Sequence, residues 1–336
     1  MKAMQSEAGG QTSNLLDPAV VAAVVVTYNR SKLLVDCLDH LLKQSRPVDR
    51  IIVVDNGSTD GTCEILNQKG FLANPVLDYL SLGKNYGNSG GLFRGISHAL
   101  NEKPDWIWVM DDDANPDGYA LQRILENDVL QKNIYGSAAI GSGKSIKKLC
   151  FPAKTVNRLK NKYIEHHEEL NDIEEVEWIP FLGFFIHSEM IRRIGLPDPD
   201  LFILNDDVEY SERAKKCGAN IYIVKSSIIY HPYQQTVSLN ILGRKVYYRS
   251  MPPWKAYYGA RNKVIVAKKY YGKLLWLQTI PGIFFRSLLG FLYEPKCFSF
   301  FFAHIIGIYD GLRGNKGVRF MPEITTSPPT HKTNDS

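Results

Sequence analysis

Three aspartates stand in a row, Asp111-Asp112-Asp113, directly after the apolar run Trp106–Met110 (WIWVM). Adjacent carboxylates repel one another, and a structural role seldom needs three. A divalent cation relieves that repulsion, and oxygen donors suit magnesium or manganese. Such a cation can bridge the two phosphates of a sugar nucleotide and stabilise the departing diphosphate. A bare acidic triplet is usually a solvated loop; its place at the end of an apolar strand argues for the ion. His231 follows the apolar stretch Ile228–Tyr230 and precedes Pro232. A lone histidine is more often structural, but an imidazole ligand fits here and would tilt the choice toward manganese.

A second acidic cluster, Asp206-Asp207-Val208-Glu209, opens an expected helix. Compensation of the helix dipole accounts for one acid. Three exceed what a cap needs, so one of them could take the proton from an acceptor hydroxyl attacking an anomeric carbon. An inverting sugar transfer needs one such base and no covalent nucleophile. The loop Asn85–Gly91 (NYGNSGG) precedes another helix. Its glycines allow close backbone approach, and a helix N-terminus favours phosphate. It is neither a Walker loop nor GxGxxG. Asp55 ends the run RIIVVD and can hydrogen-bond a base or ribose, although Asp55-Asn56-Gly57-Ser58 also reads as a turn.

These residues need elements to hold them. Val20–Thr27 (VVAAVVVT) and Arg50–Asp55 read as buried parallel strands. Between them Ser31 is placed to cap a helix that repeats leucine at helical spacing. Further strands are expected at Tyr79–Leu82, Asp105–Met110 and Asn220–Val224. Helices are expected at Thr62–Asn67, from Ser89–Gly91 to about Leu100, after Ser188, and over Asp206–Cys217 with Gly218 as its cap. This alternation predicts an α/β fold: a Rossmann-like, mostly parallel sheet flanked by helices, with ligands beyond the carboxyl ends of the strands. A disordered leader is expected over 1–18, a catalytic domain over 19–245, a C-terminal helical region over 246–320 and a disordered tail over 321–336. The stretch at about 144–177 turns from basic to acidic and reads as a surface insertion that interrupts the sheet.

The chain has 336 residues, 44% of them apolar, which suffices for a large core. Its net charge of +5 comes without a dense basic stripe, so nucleic acid is not an expected partner. Five widely spaced cysteines, with no CxxC, speak against a disulfide framework or zinc knuckle and fit a reducing cytosol. The N-terminus lacks the layout of a signal peptide. Leu274–Tyr293 is almost long enough to span a bilayer, but Pro281 and Arg286 lie inside it. With Lys263, Lys268, Lys269, Lys273 and Arg286, it is expected to lie on an anionic membrane surface at the inner face of the cytoplasmic membrane. The alternative is a set of helices that only cap the core.

Taken together, Thr27-Tyr28-Asn29-Arg30, VVDNGSTDGT (Val53–Thr62) and the aspartate triplet resemble glycosyltransferase family two, with its GT-A fold. The resemblance runs from about Val20 to Ile308. Two further stretches resemble the bacterial galactofuranosyltransferase and rhamnosyltransferase branch: NYGNSGGLFRG followed by WIWVMDDD, and FILNDDVEYSERAKKCG with Tyr257-Tyr258-Gly259-Ala260-Arg261-Asn262 downstream. The Ser-Gly-Gly element is closer to the galactofuranosyl members.

The resemblance implies roles. Thr27, Tyr28, Asn29, Arg30, Asn85, Gly90, Gly91, Asp111 and Asp112 would serve the nucleotide-diphosphate sugar, with Asp55 on uracil or ribose. Asp111, Asp113 and His231 would hold Mn2+ or Mg2+, and Asp207 would be the base. Asp206, Glu209 and Trp178 would meet the acceptor, where galactofuranosyl members often carry paired tryptophans. The implied reaction moves galactofuranose from UDP-galactofuranose onto a lipid-linked or polysaccharide acceptor in cell-surface glycan synthesis. Transfer of rhamnose from dTDP-rhamnose is the runner-up, and an inactive scaffold binding nucleotide sugar is the alternative of another class. A nucleotidyltransferase would want a basic, glycine-rich phosphate loop near the first strand, and Thr27–Arg30 is not one.

Overall fold

Every residue of β1 (Val21–Thr27) is buried, because both faces of the sheet that contains it are covered. Ala22, Val24 and Val26 enter one core and Val21, Ala23 and Val25 the other, the period of two that a strand imposes. The computed structural model describes residues 19–141, 147–156, 163–232, 237–241 and 244–321. The expected leader and the tail beyond residue 321 lie outside the described residues.

The chain continues through α1 (Ser31–Leu42), β2 (Arg50–Asp55), α2 (Thr62–Gln68), β3 (Leu77–Ser81) and α3 (Gly87–Ala99). Next come β4 (Trp106–Asp111), β5 (Asn115–Pro116), α4 (Ala120–Leu125) and β6 (Ile134–Gly141). Then follow β7 (Lys148–Lys154), β8 (Tyr163–His166), β9 (Ile173–Glu175), β10 (Phe184–His187), α5 (Ser188–Ile194), α6 (Asp206–Lys216) and β11 (Ile221–His231). A hairpin, β12 (Val237–Ile241) and β13 (Arg244–Tyr248), leads to α7 (Pro253–Tyr270), α8 (Ile280–Tyr293) and α9 (Cys297–Arg313).

The main sheet runs β3-β2-β1-β4-β10-β6-β11-β5. Strands β3, β2, β1 and β4 are parallel; β10 is antiparallel to both neighbours, β4 and β6; β6 and β11 are parallel again. The sheet is therefore mixed where β10 enters. Helix α3 covers one face with Leu92, Ile96 and Ala99, and α1 covers the other with Leu34, Cys37, Leu38 and Leu41. The parallel register carries Thr27, Asp55 and Asp111 to the same edge.

Several local expectations change. Ser31 is the first helical residue rather than a side-chain cap; its backbone N–H is met by Asp60 at 3.1 Å. Ser188 likewise begins α5, and His187 Nδ1 accepts the Glu189 N–H in the capping role. The described residues of the 144–177 stretch do not interrupt the sheet. They add to it, with β7 paired to β6 and β9 paired antiparallel to β11. The two pieces expected around 220–231 are one strand, β11, with an irregularity between Val224 and Ile228.

Helices α7 and α9 pack closely because Gly307 and Gly311 carry no Cβ; one at Gly307 would stand 2.6 Å from the Tyr257 carbonyl oxygen. The fully buried Arg261 and Asn262 of α7 reach back to the loop before α6. Arg261 donates to the carbonyls of Asp200 and Leu201, and Asn262 to those of Leu201, Ile203 and Leu204. The C-terminal helices thus hold the loop that carries the second acidic cluster.

Candidate active site

Strand ends, loops and the starts of α3, α6 and α7 enclose a cavity of about 350 Å3 at the carboxyl edge of the sheet. Thr27, Tyr28 and Arg30 line it from the end of β1, Asp111–Asp113 from the end of β4, and Asn205–Asp207 from the start of α6. His231 closes it from the end of β11. The acids expected from sequence to act in the two halves of a transfer face one space.

Around the triplet, Arg30 Nη1 lies 3.1 Å from Asp112 Oδ1 and 2.9 Å from Asp113 Oδ2. Thr27 donates to Asp112 Oδ2 at 2.7 Å. Burial pushes the Asp112 carboxyl up to about 6 even though Arg30 opposes it. Asp111 is raised by burial and by its two neighbouring carboxylates. Asp113 goes the other way: burial disfavours its charge, but His231 and Arg30 outweigh that and hold it at about 2. His231 Nε2 lies 3.2 Å from Asp113 Oδ1. Among the described residues, the buried Oδ1 of Asp111 has no hydrogen-bonded partner, and that of Asp113 faces only the His231 imidazole. Unmet anionic oxygens beside an imidazole suit a hard or borderline divalent cation.

On the opposite side, Ser89 donates to Asp206 Oδ2 at 2.8 Å, both residues buried. Burial raises the Asp206 carboxyl. Asp207 keeps part of its surface open to the cavity while protein crowds it from behind; burial, then the Asp206 charge, pushes it up to about 8. Its Oδ1 accepts the Val208 N–H at 2.8 Å. Phe202, Leu204 and Asn205 all have positive φ (67°, 66° and 59°), a backbone state that costs non-glycine residues energy and recurs at working sites.

Comparison with known proteins agrees with this geometry. Residues 22–145 match the family described as glycosyl transferase family 2. The chain carries a glycosyl transferase family 2 domain. The transferase is 29% identical over 234 residues to galactofuranosyltransferase GlfT1 of Mycolicibacterium smegmatis, covering 68% of this chain and 76% of that one. It is 23% identical over 303 residues to dTDP-rhamnosyl transferase RfbF of Shigella flexneri, covering 88% and 97%. In fold it is similar to mannosyltransferase PcManGT from Pyrobaculum calidifontis, solved with GDP-Man and Mn2+, at a TM-score of 0.55 and 14% identity over 88% of this chain and 87% of that one. The GT-A architecture expected from the sequence is thereby established.

Not every expected site residue of the transferase lies on the cavity wall. Asn29 stands behind it, its Oδ1 accepting the Thr59 N–H at 2.6 Å and so tying two loops together. Asp55 is buried, its oxygens taken by the Ser58 N–H and the Tyr79 hydroxyl, so it braces a turn instead of presenting a free carboxylate. Gly90 and Gly91 are not on the cavity wall. A Cβ on Gly91 would meet Val26 at 2.6 Å and one on Gly90 would meet Tyr86 at 2.7 Å, so both serve the packing of α3. Asn85 does reach the cavity, with Gly87 and Asn88.

Glu209 is off the cavity wall, its carboxylate in ion pairs with Arg213 and, at 2.9 Å, with Lys269. Trp178 lines a neighbouring cavity rather than this one. Among the described residues no three His, Cys, Asp or Glu side chains converge as a metal cage. Of the expected trio Asp111, Asp113 and His231, the last two lie 3.2 Å apart, and Asp111 lines the same cavity.

Sequence reasoning missed Arg249 and Lys255, both of which line the cavity with Trp254 and Phe151. Burial lowers both, and Arg30 and Arg249 lower Lys255 further. Crowded cations facing a cavity that could take a diphosphate are a coherent electrostatic arrangement. They come from the end of β13 and the start of α7, outside the motifs, and carry no local signal beyond their charge.

Proposed function

We propose that the transferase moves galactofuranose from UDP-galactofuranose, with inversion, onto a lipid-linked or polysaccharide acceptor. The observation that carries this is the shared cavity, with Asp207 on one wall and the Arg30–Asp113–His231 group on the other. The donor assignment rests on the similarity to a galactofuranosyltransferase. Thr27, Tyr28, Asn85 and the triplet would orient the nucleotide sugar, and Asp112 would keep Arg30 in place. Arg249 and Lys255 would meet the negative charge of the diphosphate.

Asp113 and His231 would hold Mn2+ or Mg2+, which supplies positive charge to the leaving diphosphate when bound. The remaining coordination would come from the donor and water. As the acceptor hydroxyl oxygen bonds to the anomeric carbon, the bond from that carbon to the diphosphate oxygen breaks. The hydroxyl proton passes to the Asp207 carboxylate. Asp206 would hold the acceptor or its neighbouring backbone.

Among the described residues, one helical stretch, Leu275–Tyr293, is long and apolar enough to cross a membrane by length and composition, and 28% of its most apolar window is buried. We assign it to the membrane surface instead, with the transferase peripheral at the inner leaflet. Trp276, Leu277, Leu288 and Leu292 are exposed on it, and Phe298 and Phe302 on α9. Ring contacts between Phe291 and Phe298, and between Phe284 and Phe301, join the two helices into one apolar surface. The lysines contribute less than expected. Lys269 is taken by Glu209, and Lys268 donates to the Leu312 carbonyl.

Transfer of rhamnose is the second reading, favoured by the near-complete overlap with the dTDP-rhamnosyl relative. Incubating the full chain with manganese, radiolabelled UDP-galactofuranose or dTDP-rhamnose, and a bacterial lipid extract decides between them. Label entering the lipid fraction from the UDP donor alone supports the first reading. Label from dTDP-rhamnose alone replaces it with the second.

A further inference from the structure

A second cavity, of about 390 Å3, opens beside the first and shares Asn205 with it. Its wall includes Trp178 and Tyr271, residues of the π-helical turn and α8, and two cations, Lys263 and Arg286. Neither cation has an acidic partner among the described residues, and burial together with Arg286 lowers Lys263 to about 8. Two carboxylates beside Tyr271, Glu177 and Glu212, are both bound by Lys215, at 2.6 and 2.8 Å. Two like charges are thus held together in a pocket that lacks a counter-charge. A stable fold tolerates this where a ligand supplies the anion.

The position is specific. The helix that brings Arg286 also carries the exposed Leu288 and Leu292 on its outer surface. Asn205 and Val208, on the cavity's inner wall, flank Asp207 in sequence. An amphipathic molecule with its apolar chain along α8 would place an anionic head at Lys263 and Arg286, and a glycan beyond it at Asp207.

We propose that this cavity seats the phosphate or diphosphate linking an acceptor glycan to its lipid, with Lys263 and Arg286 as its charge partners and Trp178 beside the first sugar. It rests on the reading of the chain as a transferase with a lipid-linked acceptor.

The test uses the full chain in detergent with UDP saturating the first cavity, and calorimetry with farnesyl diphosphate, farnesol and inorganic pyrophosphate. Farnesyl diphosphate should bind the wild type, and the Lys263→Ala/Arg286→Ala variant should bind it at least tenfold more weakly. Farnesol should not distinguish the two. Lys263→Arg/Arg286→Lys should keep most of the affinity, which separates lost charge from lost fold. Equal binding of farnesyl diphosphate by wild type and the alanine variant overturns the proposal. So does inorganic pyrophosphate binding as tightly as farnesyl diphosphate, which would mark a site for free phosphate. So does an equal loss of binding to phosphatidylglycerol vesicles, which would mark a contact for bulk lipid heads. Failure of the wild type to bind UDP would strike the donor assignment, whatever farnesyl diphosphate does.

Discussion

The side-chain amide of Asn262 donates a 2.8 Å hydrogen bond to the carbonyl of Leu204, a residue held at φ 66°. The same amide group serves the carbonyls of Leu201 and Ile203. One buried side chain thus fixes the loop that delivers Asp206 and Asp207. Asn262→Ala would remove this donor from the Ile203 and Leu204 carbonyls, at about 1–3 kcal/mol for each that stays buried, while Leu201 keeps Arg261. We expect a lower melting temperature and a loss of turnover larger than the loss of UDP affinity. Thermal denaturation and steady-state kinetics on one preparation check this; equal turnover would show that the loop holds itself.

The pH dependence follows from Asp207. Its carboxyl is pushed up to about 8, first by burial and then by Asp206. A base must be ionised, so kcat/KM should rise with pH and level off above about 8, and fall as the group protonates below it. Asp206→Asn removes the repelling charge, so the inflection should move to lower pH. A profile that stays put in this variant would assign the inflection to another group.

The metal prediction concerns Asp113 and His231. Chelator should abolish transfer, and manganese or magnesium should restore it. His231→Ala should shift the preference away from manganese, because an imidazole donor is lost and oxygen donors remain. Full transfer in excess chelator would remove the ion from the mechanism.

Membrane attachment should depend on apolar area more than on charge. Fully burying Leu277 or Leu292 in lipid would be worth about 2 kcal/mol each, so replacing either with serine should weaken vesicle binding markedly. Salt should weaken binding only modestly, since Lys268 and Lys269 already have protein partners. Co-sedimentation with vesicles over a salt series measures both; binding abolished by salt alone would favour an electrostatic contact.

Much of the fold was legible because its signals are periodic. The valine-rich run of β1 reads as a strand buried on both faces, and the aspartate triplet reads as a strand-end site because an apolar run precedes it. Side-chain partners were not legible, since they are set by packing between distant segments. Glu209 looked like a member of the acidic cluster until Arg213 and Lys269 were seen to hold it. Gly90 and Gly91 looked like a phosphate loop because glycine serves close approach to a ligand and close packing of a helix equally well. Arg249 and Lys255 gave no warning, as the hairpin and α7 bring them in from outside every motif.

The central claim is that Asp207 takes the acceptor proton. Asp207→Asn keeps the side chain's shape and removes its basicity, while the Arg30–Asp113–His231 group across the cavity is untouched. Transfer from UDP-galactofuranose should fall by roughly a hundredfold to ten-thousandfold, the usual size of a general-base effect, with UDP affinity little changed. Near-normal transfer by the Asp207→Asn variant would contradict the assignment and pass the role to Asp206.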